Sequence, residues 1–162
     1  MAKNKRSVFK WLISRLLTLA FFVYMALLLY FLFFSEQYGR TLATSEYHYN
    51  LKLFLEIRRF YHIGGREFVI NVIGNVLAFL PFGFLIPVIY REQRKKTVQG
   101  HYFRCLMFVT FLGGMFSFFV ECVQLVTKVG SFDVDDMLLN TVGVFLGVIG
   151  YIISKGIIRK MS

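Results

Sequence analysis

The sequence predicts an all-α, polytopic membrane bundle of four transmembrane helices, and two observations carry that prediction. The first is composition: of 162 residues, 57% are hydrophobic and 19% aromatic, with 20 phenylalanines and only 17% charged. A soluble domain of this length carries more charge and fewer large apolar residues. The second is the gathering of apolar residues into repeated runs of about twenty, each long enough to cross a hydrocarbon core roughly 30 Å thick.

The first run extends over 11–34 behind a basic leader, residues 1–10, that holds Lys3, Lys5, Arg6 and Lys10. It resembles a signal peptide. However, its apolar stretch exceeds the usual 7–15 residues and no small-x-small cleavage site follows, so it reads as a retained anchor. The other spans are expected at about 68–90, 104–126 and 136–154, making residues 11–162 one transmembrane domain.

Charge then orients the bundle. The leader, the 91–104 connection and the C-terminal tail hold twelve lysines and arginines against one acid, Glu92. The connections 35–67 and 127–135, with Asp136 at the edge of the second, hold six basic and seven acidic residues. Basic excess marks cytoplasmic loops, which places both termini inside and satisfies every connection at once. The net charge of +10 is thereby explained without nucleic acid. Cys105 and Cys122 fall on one predicted helix about 25 Å apart, too far to pair, and read as apolar packing residues.

The outer connection carries a pattern of its own. Between Tyr49 and Ile63, apolar Leu51, Phe54, Leu55, Ile57 and Tyr61 alternate with Lys52, Glu56, Arg58 and Arg59. The mixture suits a short helix on the outer leaflet, with Arg58 and Arg59 facing lipid phosphates or cell-wall polyanions, or else a packed loop with a solvated charged face. Gly64-Gly65 then turns the chain into span two.

Polar groups inside a bilayer are costly and need a partner or a purpose. Span one has almost none beyond its ends. On span three, Thr110, Gly114, Ser117, Glu121 and Gln124 share one helical face; on span four, Asp136, Asn140, Gly143, Gly147 and Gly150 do the same. Span two has Asn71, Asn75 and Ala78 on one face, followed by Pro81, where a kink or local unwinding is expected. Gly143-xxx-Gly147 predicts close packing of span four on span two or three. With the orientation above, Asn71, Asn75, Glu121, Gln124 and Asn140 lie in the outer third of the bundle beside Asp133, Asp135 and Asp136.

Two readings of that cluster stay open: hydrogen bonds that fix the bundle, and an outward-opening polar cavity. Carboxylates held together must share protons, bind a cation or meet a basic partner. A hard cation on Glu121, Asp133 and Asp136 is therefore one option. No other metal set is visible, since His48, His62 and His101 lie outside the spans without zinc spacing. No cofactor is expected.

These same residues carry a family resemblance. Asn75-Val-Leu-Ala-Phe-Leu-Pro-Phe-Gly83 resembles the N-V-x-x-F-x-P-F-G signature of the VanZ-like family. Glu121-Cys-Val-Gln124, then Gly130-Ser-Phe-Asp133-Val-Asp-Asp136, then Asn140-Thr-Val-Gly143 with Gly147, resemble its E-x-x-Q and G-x-x-D-x-x-D-x-x-x-N-T-x-G-x-x-x-G elements. Asn50-Leu51, ahead of Ile57 and Phe60, is similar to the loop before the family's second span. One departure is Ser131, near which many relatives carry an arginine. The resemblance implies a multi-pass bacterial cell-membrane protein, typically Gram-positive, from a family whose founding member is associated with low-level teicoplanin resistance. It brings no established reaction.

Three functions are expected to compete. The first is a non-catalytic protein whose polar cavity engages an amphiphile among the membrane lipids: a lipoglycopeptide antibiotic or a cell-wall lipid precursor. The second is an intramembrane enzyme acting on lipid-linked envelope substrates, with Glu121 as general base or a metal on the acidic cluster. No Ser–His or Cys–His arrangement accompanies it. The third is a small proton-coupled exporter built on Glu121, whose position near the outer end departs from the midplane sites of transporters.

Overall fold

The computed structural model describes residues 2–34, 47–94 and 102–161; residues 35–46 of the first connection and 95–101 of the basic connection, with Lys95, Lys96 and His101, lie outside the described set. Helix α1 covers Ala2–Phe34. A two-residue strand β1, Tyr49–Asn50, precedes the short helix α2, Leu55–Ile63. Next comes a continuous helical run made of α3 (Gly65–Phe68), a π-helical turn (Val69–Ile73) and α4 (Gly74–Arg94). Helix α5 covers Tyr102–Thr127, strand β2 Phe132–Asp133 and α6 Val134–Met161.

Among the described residues, four helices are long and apolar enough to cross a membrane: Trp11–Phe34, Gly65–Tyr90, Tyr102–Thr127 and Val134–Ile158. They match the expected spans within a few residues. Between the first two lies α2, which takes up Leu55–Ile63 of the alternating segment, while residues 51–54 are not helical.

Helix α6 is the centre of the bundle and packs most extensively on α4, then on α5. Glycine makes the α4–α6 contact possible. A Cβ on Gly143 would fall 2.2 Å from the Val76 carbonyl oxygen, and one on Gly147 2.1 Å from that of Leu80. A Cβ on Gly83 would meet the Val144 carbonyl at 2.0 Å in the opposite direction. Backbone therefore rests on backbone, the close approach that small-xxx-small faces permit. Span two, not span three, is the partner of the Gly143–Gly147 face.

Side chains from every span fill the centre: Leu28 and Leu32 of α1, Phe79 and Phe82 of α4, Val109 and Val120 of α5, Val144 and Val148 of α6. Phe82 stacks on Phe116 with centroids 5.6 Å apart. Helix α1 lies at the periphery, its apolar surface mostly exposed, while Leu28 and Leu32 pack into the core. Cys105 and Cys122 are both free on α5.

The local unwinding expected at Pro81 does not form. The helix continues through Pro81 and Pro87 without a break, and the irregular turn sits earlier, at Val69–Ile73. Pro81 does deprive the Leu77 carbonyl of its usual donor. The flanking segment is held all the same: α6 lies directly against the Val76 and Leu80 carbonyls. On the other side the Tyr24 hydroxyl of α1 donates to the Ala78 carbonyl at 2.6 Å.

Candidate functional site

At one end of the bundle α1 and α5 finish while the α3–α4 run and α6 begin. Asp133 sets the geometry there as the residue preceding α6. Its Oδ1 accepts the Asp135 backbone N–H at 2.8 Å, satisfying a donor that the first helical turn leaves unpaired. The same oxygen accepts the Asn50 side-chain amide at 3.1 Å. The Asp133 N–H in turn donates to Glu121 Oε2 of α5 at 2.9 Å. Parallel pairing of β1 with β2 sets Tyr49 opposite Phe132 and Asn50 opposite Asp133, so the outer connection is laid onto the α5–α6 turn.

Three further contacts tie the spans together. The Asn75 amide donates to Asp136 Oδ1 at 2.6 Å, joining α4 to α6. The Asn140 amide donates to Ser117 Oγ at 2.9 Å, joining α6 to α5. The Gln124 amide donates to the Leu32 carbonyl at 2.7 Å, joining α5 to α1. Glu121, Gln124 and Asn140 are each 1% exposed, and Asn75 and Asp133 are also buried. At that depth an unmet polar group would cost several kcal/mol, so pairing across helices fixes which faces meet. Asn140 Oδ1 and Thr110 Oγ1 are the buried side-chain atoms without a hydrogen-bond partner among the described residues.

The expected residues thus separate into groups. Asn75, Glu121, Gln124, Asp133, Asp136 and Asn140 are gathered at the same end, engaged chiefly with other protein groups. Asn71 adjoins them through its backbone carbonyl, which accepts the Asn75 amide at 3.0 Å, while its own side-chain amide donates back to the Glu67 carbonyl at 2.9 Å and to Glu67 Oε2 at 3.4 Å. Arg58 and Arg59 are exposed on α2, with Arg59 paired to Glu56 at 3.0 Å. Of the three carboxylates offered for a hard cation, Glu121 accepts the Asp133 N–H, Asp133 accepts the Asn50 amide and Asp136 accepts the Asn75 amide. Among the described residues no three His, Cys, Asp or Glu side chains lie together as a metal-holding group.

Asp135, not assigned a role by the sequence, is completely buried. Its Oδ1 accepts the Phe54 N–H at 2.5 Å, and its Oδ2 accepts the N–H groups of Glu56 and Ile57 at 2.8 and 3.2 Å. A carboxylate at these donors satisfies the first turn of α2 and favours its dipole. The available signal was three acids within four positions at a helix start, where capping needs only one. Burial pushes the Asp133 carboxyl above its ordinary value of 3.8; the Asp135 N–H and the Asn50 amide act against this, and the Asp135 and Glu56 charges add to it.

These features define a polytopic helical membrane protein whose spans are locked at one end by a buried network of carboxylates and amides. The VanZ/LLP1 family model matches residues 21–155. Over 129 residues the chain is 31% identical to Protein VanZ of Enterococcus faecium, covering 78% of this chain and 67% of that protein. The chain belongs to the VanZ-like family. No solved structure matches it.

Proposed function

We propose that this chain is a non-catalytic, multi-pass cell-membrane protein that contributes to teicoplanin-type glycopeptide resistance or to cell-envelope homeostasis. Both termini lie in the cytoplasm in this reading, as the basic leader and tail favour. The polar end then faces outward. It engages an amphiphile whose acyl portion lies against the phenylalanine-rich spans and whose polar head meets the network. A lipoglycopeptide antibiotic and a lipid-linked wall precursor both have that chemistry. Asn71 and Asp136, only partly buried, make contact, while Asn75, Glu121, Gln124, Asp133 and Asn140 support them from behind.

The observation that carries this reading is the placement of the polar groups. Buried carboxylates and amides from three spans collect at one end, where the first connection is also tied down. Amides alone would suffice to fix a bundle, and carboxylates carry a further desolvation cost.

Expression in a susceptible host, with teicoplanin sensitivity as the readout, tests the proposal. Wild type is expected to raise the inhibitory concentration. Asp136→Ala and Asn71→Ala, present in the membrane at wild-type level, are expected to lose most of that protection. Equal protection by wild type and both variants would refute the polar-end mechanism, and no protection by wild type would refute the resistance role.

A further inference from the structure

We infer that α2 is a docking element for the headgroup layer of anionic phospholipids. The inference deepens the proposed function and rests on its assignment of the polar end to the membrane boundary. Each end of α2 is tethered where a span begins. Asp135, which binds the N-terminal N–H groups of α2, is the second residue of the span Val134–Ile158. At the other end Gly64 leads into Gly65, the first residue of the span Gly65–Tyr90. Gly64 and Gly65 have φ of 68° and 56°, a conformation that glycine adopts without strain and that lets the chain turn sharply between α2 and α3. Nine residues of helix span about 13 Å, slightly more than the 8–10 Å between the axes of packed helices. Helix α2 therefore lies across the ends of α6 and the α3–α4 run, along the membrane boundary.

Its two sides differ chemically. Glu56, Ile57 and Phe60 turn toward the protein and are half-buried, while no residue of α2 is fully buried. Arg58, Arg59 and His62 are exposed on the opposite side. At the ends of the helix, Phe54, Leu55, Tyr61 and Ile63 are 49–70% exposed. Apolar side chains beside arginines and a tyrosine are the composition of an element seated among headgroups, with the rings and aliphatic groups reaching the acyl boundary. Between Leu51 and Ile63 the basic residues are Lys52, Arg58 and Arg59, and the only acid, Glu56, is paired with Arg59 at 3.0 Å. The resulting positive surface complements a phosphodiester anion, and the guanidinium of Arg58 matches phosphate oxygens in a fork geometry.

The test uses the full chain, carrying Trp11→Phe and Tyr61→Trp, reconstituted in phosphatidylcholine bilayers that contain a fixed share of brominated lipid. Fluorescence quenching of the indole at position 61 is compared for brominated phosphatidylglycerol and brominated phosphatidylcholine. Quenching by the anionic lipid is expected to be at least twofold stronger. The preference should vanish in a variant that also carries Lys52→Gln, Arg58→Gln and Arg59→Gln, all surface positions, and should weaken in high salt. Equal quenching by the two lipids would overturn the inference. So would a preference that survives the triple substitution, or no quenching by either lipid. Bilayer quenching reads headgroup choice without reference to antibiotic protection, so failure here with protection intact would remove this inference alone.

Discussion

The Asp135 carboxylate lies 2.5 Å from the backbone nitrogen of Phe54, a residue 81 positions earlier in the chain. Phe54 sits at φ 64°, a left-handed conformation that a bulky residue rarely adopts. The bond to Asp135 holds it there, and with Glu56 and Ile57 it makes the start of α2 depend on α6. Asp135→Ala should therefore release α2 selectively, at a cost of about 1–3 kcal/mol. Hydrogen exchange in detergent is the measurement. The amides of residues 54–57 should lose protection while those within α5 and α6 keep theirs. Asp135→Asn, which retains one acceptor oxygen, should fall between the two. Unchanged protection in the alanine variant would show that α2 is held by something else.

The glycine contacts between α4 and α6 predict a graded response. Gly147→Ala would set a methyl 2.1 Å from the Leu80 carbonyl oxygen and 2.9 Å from the Phe84 nitrogen, both backbone atoms that cannot swing away. The expected loss is about 1–3 kcal/mol, seen as a lower thermal midpoint in detergent. Gly143→Ala should behave alike. Gly156→Ala is the control, because nothing lies within 4 Å of its added carbon, and its change should stay within about 0.5 kcal/mol. A Gly147→Ala protein as stable as wild type would contradict the packing.

The bond from Asn75 to Asp136, at 2.6 Å, is best weighed by a double-mutant cycle, since Asp136 also engages other groups. Interhelical polar pairs in membrane proteins couple by about 0.6 kcal/mol on average and up to about 1.7. Asn75→Ala, Asp136→Ala and their combination, compared by unfolding in mixed detergent, should fall in that range. Additive effects would mean that the two residues act separately.

Asp133 makes a pH prediction with a definite sign. Its carboxyl is raised above 3.8 in the folded protein chiefly by burial, so the folded state holds the proton more tightly than the unfolded chain does. Its contribution is fully present below 3.8 and is lost as pH rises through the raised folded value. Acidification from neutral toward about pH 4 should therefore stabilise wild type relative to Asp133→Asn, which has no proton to gain. Thermal midpoints of the two proteins across that range provide the comparison, and parallel curves would contradict it.

How far the sequence could be read follows from where its information is local. The four spans are legible because each apolar run exceeds the length a bilayer needs, and a run of twenty tolerates an error of two or three residues at its ends. The glycine face of α6 is legible from its i, i+4 spacing. The spacing does not name the partner helix, which depends on the Val76 and Leu80 carbonyls. Gathering Asn75, Glu121, Gln124 and Asn140 at one end needs only periodicity and the order of the spans.

Pairing is where the sequence stops. Gln124 donates to a backbone carbonyl of α1, and Tyr24 to one of α4; any residue type supplies a carbonyl, so no pattern marks these contacts. The role of Asp135 depends on a bond across 81 positions, and the three acids before and within the first turn of α6 look alike until their partners are placed. The absence of unwinding at Pro81 has a related reason. Its lost hydrogen bond is visible in the sequence, while the neighbours that hold the surrounding helix are not.

Everything proposed for the polar end requires that end to face outward. With Cys105 and Cys122 replaced by serine, a single cysteine introduced by Ser131→Cys, an exposed position in the α5–α6 turn, can be treated with a membrane-impermeant maleimide on intact cells. The predicted result is labelling of intact cells as complete as that of permeabilised ones. Labelling only after permeabilisation would place the carboxylate–amide network in the cytoplasm and contradict the proposed encounter with an envelope ligand.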